Sequence, residues 1–183
     1  MIFVTTCRHA TPPVRRLAKE IAWVLGHARK VNRGRMSLAG VVLMARNMGA
    51  SRVIVVGRGL HGNPGIITFL NAEGGDEGRR ILSLSLRGVV FSGMKSRPPV
   101  PESHLPVVSL GASEEIAENL AFAFDTVYLG SYALEDLASF SSYSRVIAVE
   151  GVKSRSLALV LKFLEKGEPI GPKLLVKRLN SYM

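Results

Sequence analysis

Apolar residues in this chain recur with two periods, two and about 3.6, and the periods alternate in the same order on both sides of one proline-rich stretch. Residues 1–6 read as a buried strand. Pro12 and Pro13 suit a helix start, and Val14, Leu17, Ala18, Ile21, Ala22 and Leu25 keep helical spacing up to Gly26. A short extended piece over 28–32 leads to a second helix from Ser37, its N-cap, to Gly49. Residues 52–57 hold Val53-Ile54-Val55-Val56, a run of the central-strand kind, and 66–70 and 80–90 follow as strands. Residues 95–102 (KSRPPVPE) have no period and read as a linker. The order then begins again: a strand over 107–110, a helix opened by Ser113 with Glu114 and Glu115 in its first turn, and a strand over 126–129. A short helix over 133–140 and a strand over 145–149 come next. Residues 156–163 alternate as a strand, although 157–166 also fit a helix, and 173–179 close the sheet. The expected fold is α/β, with two similar, pseudo-duplicated halves at 1–97 and 98–183.

Several function classes drop out on composition. Cys7 is the only cysteine, which excludes an internal disulfide and a cysteine zinc site. His9, His27, His61 and His104 show no metal-ligand spacing. The longest apolar run, 38–45, falls far short of the roughly 18 residues of a membrane helix and sits in an amphipathic pattern. The first residues lack the order of a signal peptide, so a cytoplasmic protein is expected.

Charge is segregated along the chain. Residues 1–97 carry 16 Lys+Arg against 4 Asp+Glu, whereas 98–183 carry 8 against 10. The stretch 98–144 has no cation and seven acids: Glu102, Glu114, Glu115, Glu118, Asp125, Glu135 and Asp136. This implies a cationic lobe suited to a polyanion and an anionic lobe beside it. Arg8, Arg15, Arg16 and Lys19 lie at the end of the first strand and in the first turns of the first helix. Arg29, Lys30, Arg33 and Arg35 surround the second strand. In an α/β layout the loops after the strands gather at one sheet edge, which would bring Arg8, Arg15 and Arg58 together with Arg33 and Arg35 beside them. Phe3, Trp23, Phe69 and Phe91 sit in apolar patterns rather than among the arginines, so the grip should fall on phosphates and RNA shape more than on stacked bases.

Gly57-x-Gly59-x-x-Gly62 after a strand mimics a dinucleotide fingerprint. That mechanism needs a helix to start there, and Asn63-Pro64-Gly65 followed by Ile66-Ile67-Thr68-Phe69 favours a turn and a strand instead. A glycine-rich hairpin loop fits better, with Arg58, His61 and Asn63 able to meet a phosphate. Cys7 reads as a small, half-buried residue at a strand end rather than a nucleophile, and the paired acids occupy helix starts or solvated faces, so no enzyme activity and no cofactor are expected.

Asn32-Arg33-Gly34-Arg35-Met36-Ser37-Leu38 and Gly62-Asn63-Pro64-Gly65, with the opening Val4-Thr5-Thr6-Cys7-Arg8 and the late Gly171-Pro172-Lys173, resemble the archaeal Brix-domain proteins. Cys7 stands where that family commonly has serine, and His9-Ala10-Thr11 replaces its basic-proline-serine step. The resemblance implies a ribosome-biogenesis factor that binds ribosomal RNA and assists pre-rRNA processing. It also implies two halves, each like the anticodon-binding domain of class II aminoacyl-tRNA synthetases. It marks Arg8, Asn32, Arg33, Arg35 and Asn63 as RNA contacts, to which the residue reading adds Arg15, Arg16, Lys19, Arg58 and His61. Ribosomal or assembly proteins are further expected partners. The alternative reading is a protein-protein adaptor that docks basic ribosomal proteins through its acidic 98–144 region.

Overall fold

A computed structural model describes residues 1–139 and 143–182. The first half runs β1 (Ile2–Thr6), α1 (Pro12–Leu25), β2 (Ala28–Lys30), α2 (Leu38–Asn47), β3 (Arg52–Arg58), β4 (Pro64–Asn71) and β5 (Arg79–Val90). The second runs β6 (Val107–Leu110), α3 (Glu114–Ala123), β7 (Tyr128–Ser131), β8 (Arg145–Gly151), β9 (Leu159–Glu165), β10 (Glu168–Pro169) and β11 (Lys173–Ser181). Among the described residues these strands form one sheet in the order β2-β1-β3-β4-β5-β11-β9-β8-β6-β7, with β10 paired to β9. The first three strands of each half are parallel and the rest antiparallel.

Local chemistry explains the helices. Pro12 and Pro13 occupy the first helical positions of α1, where a missing N–H costs nothing. Ser37 caps α2 by accepting from the Gly40 N–H at 3.0 Å, and Ser113 caps α3 by accepting from Ile116. α1 and α3 share one core. Val14, Leu17 and Ile21 meet Ala117, Leu120 and Phe124 there, and Phe124 stands edge-on to both Phe69 and Phe163. α2 covers the opposite face of the first half, over Phe3, Val53 and Leu70. In the second half a single 3₁₀ turn, Glu135–Ser139, takes that outer place and buries Leu137 against Val108, Val146 and Ala148.

Four expectations need correction. β11 does not close the sheet: it lies in the middle, between β5 and β9, and joins the halves. The helix expected over 133–140 is the 3₁₀ turn just described, and Phe140 lies outside the described residues. β7 begins two residues late, because the Thr126 N–H still bonds to Ala121 of α3 and Asp125 takes a left-handed φ of 53° to leave the helix. Residues 95–102 are not a free linker. Pro101 is buried beside Gly26, where an added Cβ would stand 2.2 Å from Pro101 Cδ. The Pro101 carbonyl bonds to His27 Nε2 at 2.8 Å, and Arg97 donates to the Gly26 carbonyl. The open choice over 157–166 resolves as a strand, β9, which turns at Lys166-Gly167 into β10. Among the described residues no helix is long and apolar enough to cross a membrane.

Candidate nucleic-acid interface

Because β2, β1 and β3 are parallel, their C-terminal ends share one edge, and the chain leaves all three there. The exits are tied side by side. Cys7 N–H donates to the Val56 carbonyl at 2.9 Å, Val31 N–H to Val4 at 2.8 Å, and the Thr5 hydroxyl to Val31 at 3.0 Å. The loop after β3 is pinched shut. Gly59 N–H donates to the Asn63 carbonyl at 2.6 Å, and the Thr11 hydroxyl, just before α1, donates to the Gly62 carbonyl. A Cβ on Gly65 would stand 2.3 Å from Gly59 Cα, so only glycine allows this approach.

Three adjoining depressions line this edge. Arg8 and Arg58 line the first, together with Gly57, Gly59 and Gly62. Cys7 belongs to it and to the second, which Arg15, Asn32 and Arg33 border. Arg15 also belongs to the third, shared with Arg16, Lys19 and Phe91. The convergence of Arg8, Arg15 and Arg58 expected from the sequence is therefore present. Asn32 and Arg33 join it, with Arg33 Nε also donating to the Met36 carbonyl at 3.1 Å. Arg35 is exposed beyond the rim. His61 and Asn63 are exposed on the loop after β3, outside the three depressions, and His61 holds a left-handed φ of 55°.

Arg16 is engaged internally. Its Nε pairs with Glu20 at 2.7 Å, another of its nitrogens donates to the Ser92 carbonyl, and its guanidinium lies 4.4 Å from the Phe91 ring centre. Glu20 is buried and also accepts from the Ser92 N–H and hydroxyl. Lys19 lies over the Trp23 ring with its side chain exposed.

Lys30 belongs to the same surface, although the sequence offered only its place beside the second strand. Its ammonium donates to Asn32 Oδ1 at 2.6 Å. Partial burial, and then the charges of Arg15 and Lys19, hold its pKa below the ordinary lysine value. No Asp or Glu occurs anywhere between residues 21 and 72, so this stretch supplies no counter-charge. Cations gathered with no carboxylate among them form a surface suited to an anion.

The glycine-rich stretch does not form a dinucleotide cradle. After Gly57 the chain makes a 3₁₀ turn, Leu60–Gly62, and returns as the antiparallel β4, so no helix N-terminus stands where a pyrophosphate would need one. Among the described residues no group of three metal-ligating side chains comes together.

No protein-family model matches the chain. It is 27% identical over 171 residues to the "Probable Brix domain-containing ribosomal biogenesis protein" of Aeropyrum pernix, spanning 93% of this chain and 92% of that one. A stretch of 77 residues is 38% identical to the protein of the same description from Methanothermobacter thermautotrophicus, spanning 42% of this chain and 46% of that one. The crystal structure of a probable ribosomal biogenesis protein from Aeropyrum pernix superposes with a TM-score of 0.77 at 26% identity, over 97% of this chain and 95% of that one. Mil, an archaeal Imp4-like protein, superposes with a TM-score of 0.66 at 25% identity, over 99% of each chain.

Proposed function

The chain is a relative of the archaeal Brix domain-containing ribosomal biogenesis proteins, and on that footing we propose that it serves ribosome biogenesis by binding ribosomal RNA without catalysis. It grips phosphates along the edge where β1, β2 and β3 end. The observation that carries this reading is the gathering of Arg8, Arg58, Arg15, Arg33 and Lys19 on three adjoining depressions, with Lys30 bonded to Asn32 on the border of one of them. The groups on offer are guanidinium, ammonium and glycine-loop amides rather than exposed aromatic rings, so the reading is of backbone and shape, with modest sequence preference. Pre-rRNA in the cytoplasm is the expected target, held while processing and assembly proceed around it.

Buried residues from 1–97 and from 98–183 belong to one core. We infer that the two halves descend from one duplicated α/β unit like the anticodon-binding domain of class II aminoacyl-tRNA synthetases. The strand order of the first half, reversed in the second, supports this. The basic edge belongs to the first unit, and the acids of α3 face solvent on the second.

Binding to a ribosomal RNA fragment and to an unrelated duplex across a salt series tests the proposal. Tight, steeply salt-dependent binding with preference for the ribosomal fragment is expected. Arg8→Ala with Arg58→Ala should reduce the log-log salt slope by about 0.7 to 0.9 for each phosphate that is no longer neutralised. Weak binding to both RNAs would overturn it.

A further inference from the structure

The sequence pattern makes α2 an amphipathic helix, and the structure shows that its outer face is apolar too. Residues 38–45 (LAGVVLMA) contain no polar side chain. Val41, Val42 and Ala45 are buried against the sheet, while Leu43 is 54% exposed and Met48, just past the helix, 41%. Ala39, Gly40 and Met44 are partly exposed between them. A helix on the outside of a monomer ordinarily turns charge to water on that side. Three of the six methionines lie within residues 36–48, and Met36 folds over Gly40, its Cγ 2.8 Å from where a Cβ would stand. Unbranched thioethers over a small residue form a surface that can repack around an incoming side chain.

The cations beside this face gather at the helix start and on the β2 side, while the loop packed along its other side carries Glu73, Asp76 and Glu77. Arg35 precedes the helix, Arg46 closes it, and Arg29 reaches to 3.9 Å from the Met48 sulfur. Arg46 donates to the Ala72 and Gly75 carbonyls, so its charge serves the loop that carries Glu73, Asp76 and Glu77, and the cations left to a partner are Arg29 and Arg35. An alkyl face offers nothing to a phosphate backbone, and desolvating phosphate against Leu43 would oppose binding. We propose that α2 docks an acidic amphipathic helix of a partner protein, whose apolar side chains cover Leu43 and Met48 while its carboxylates meet Arg29 and Arg35. α2 covers one sheet face, whereas the RNA surface follows the strand ends, and of the residues expected to contact RNA only Arg35 borders the docking face.

The probe is a synthetic helix of about 20 residues with leucine at helical spacing and glutamate elsewhere, alongside its twin with lysine for glutamate. The glutamate peptide should bind the full chain with Kd on the order of 10 μM, the lysine twin should not, and amide shifts should centre on residues 36–48. Leu43→Gln should weaken peptide binding about tenfold, with the thermal midpoint and the affinity for the ribosomal RNA fragment unchanged. Leu43→Ala should give a smaller loss. Equal peptide affinity for wild type and Leu43→Gln would reduce the effect to net charge and overturn the proposal. So would absence of binding, or a concentration-dependent doubling of mass that Leu43→Gln abolishes, which would make the occupant a second copy. An equal loss of RNA affinity in Leu43→Gln would assign the face to RNA instead.

Discussion

Arg52 and Arg145 open corresponding strands of the two halves, and each reaches across to the penultimate carbonyl of the other half's first helix. Arg52 Nε donates to Phe122 of α3 at 3.3 Å, and an Arg145 nitrogen donates to Val24 of α1 at 3.5 Å. Both guanidiniums are buried and each also has a carboxylate, Asp125 at 3.4 Å and Glu165 at 2.9 Å. Positive charge at a helix C-terminus satisfies orphan carbonyls and opposes the negative end of the dipole. The halves are thus fastened reciprocally as well as through apolar contact.

Removing either fastener should destabilise the whole chain rather than one half. Arg52→Ala and Arg145→Ala should each cost about 2 to 3 kcal/mol, since each leaves a helix-end carbonyl without its donor and a void where the buried arginine side chain packed. At this size that lowers Tm by roughly 4 to 12 °C. Urea or thermal unfolding, followed by probes in both halves, should show a single shifted transition. A transition confined to the half that carries the mutation would count against reciprocal fastening.

Neighbouring arginines on α1 should separate cleanly. Arg15 is exposed between two depressions, so Arg15→Ala should weaken RNA binding and lower the salt slope by about 0.7 to 0.9 with little change in stability. Arg16→Ala should do the reverse: loss of the 2.7 Å pair leaves the Glu20 carboxylate buried with only Ser92. A cost of about 2 kcal/mol is expected, with a smaller change in RNA affinity. Paired melting and binding measurements decide the matter.

Lys30 predicts a pH signature. Its folded pKa lies below the 10.5 of an ordinary lysine, so between the two values the folded chain holds fewer protons than the unfolded one. Its unfavourable contribution is complete below the folded pKa and fades as pH rises toward 10.5. Wild type should therefore gain stability relative to Lys30→Met across that alkaline window, and Lys30→Met should be the more stable protein at neutral pH. A bound polyanion restores the charged form, so RNA binding at alkaline pH should take up protons. Calorimetry in buffers of different ionisation heat reads this directly, and Lys30→Met should reduce the uptake.

Gly65→Ala tests whether the pinched loop matters. The new methyl collides with the Gly59 backbone, which cannot rotate away as a side chain could, so a loss of about 1 to 3 kcal/mol is expected. The loop should also open, seen as faster amide exchange at Gly59, with weaker RNA binding.

Local chemistry made much of this legible in the sequence. Ser37 and Ser113 announce their helices because a capping hydroxyl is a short-range device, and the buried runs of β3 and β8 carry their own period. The edge shared by Arg8, Arg15 and Arg58 followed from parallel strands alone. What escaped depends on contacts distant along the chain. Arg16 could not be told from Arg15 without Ser92, which is 76 residues away. Lys30 became notable only through its partial burial, with Arg15 and Lys19 beside it. The apolar run of α2 fits an amphipathic pattern until the buried side is known, and only then do Leu43 and Met48 stand out.

The central place of β11 has a consequence in time. β5 and β9 are both synthesised before the strand that joins them, and β5 ends about 80 residues ahead of it. At translation rates of roughly 5 to 20 residues per second, the β5 edge waits on the order of 4 to 16 s for its partner. During that interval an open β-edge, bearing Leu82, Leu84 and Leu86, is available to any neighbouring nascent chain. Slower translation or crowded polysomes should therefore reduce the yield of native protein, even though the finished sheet leaves that edge covered.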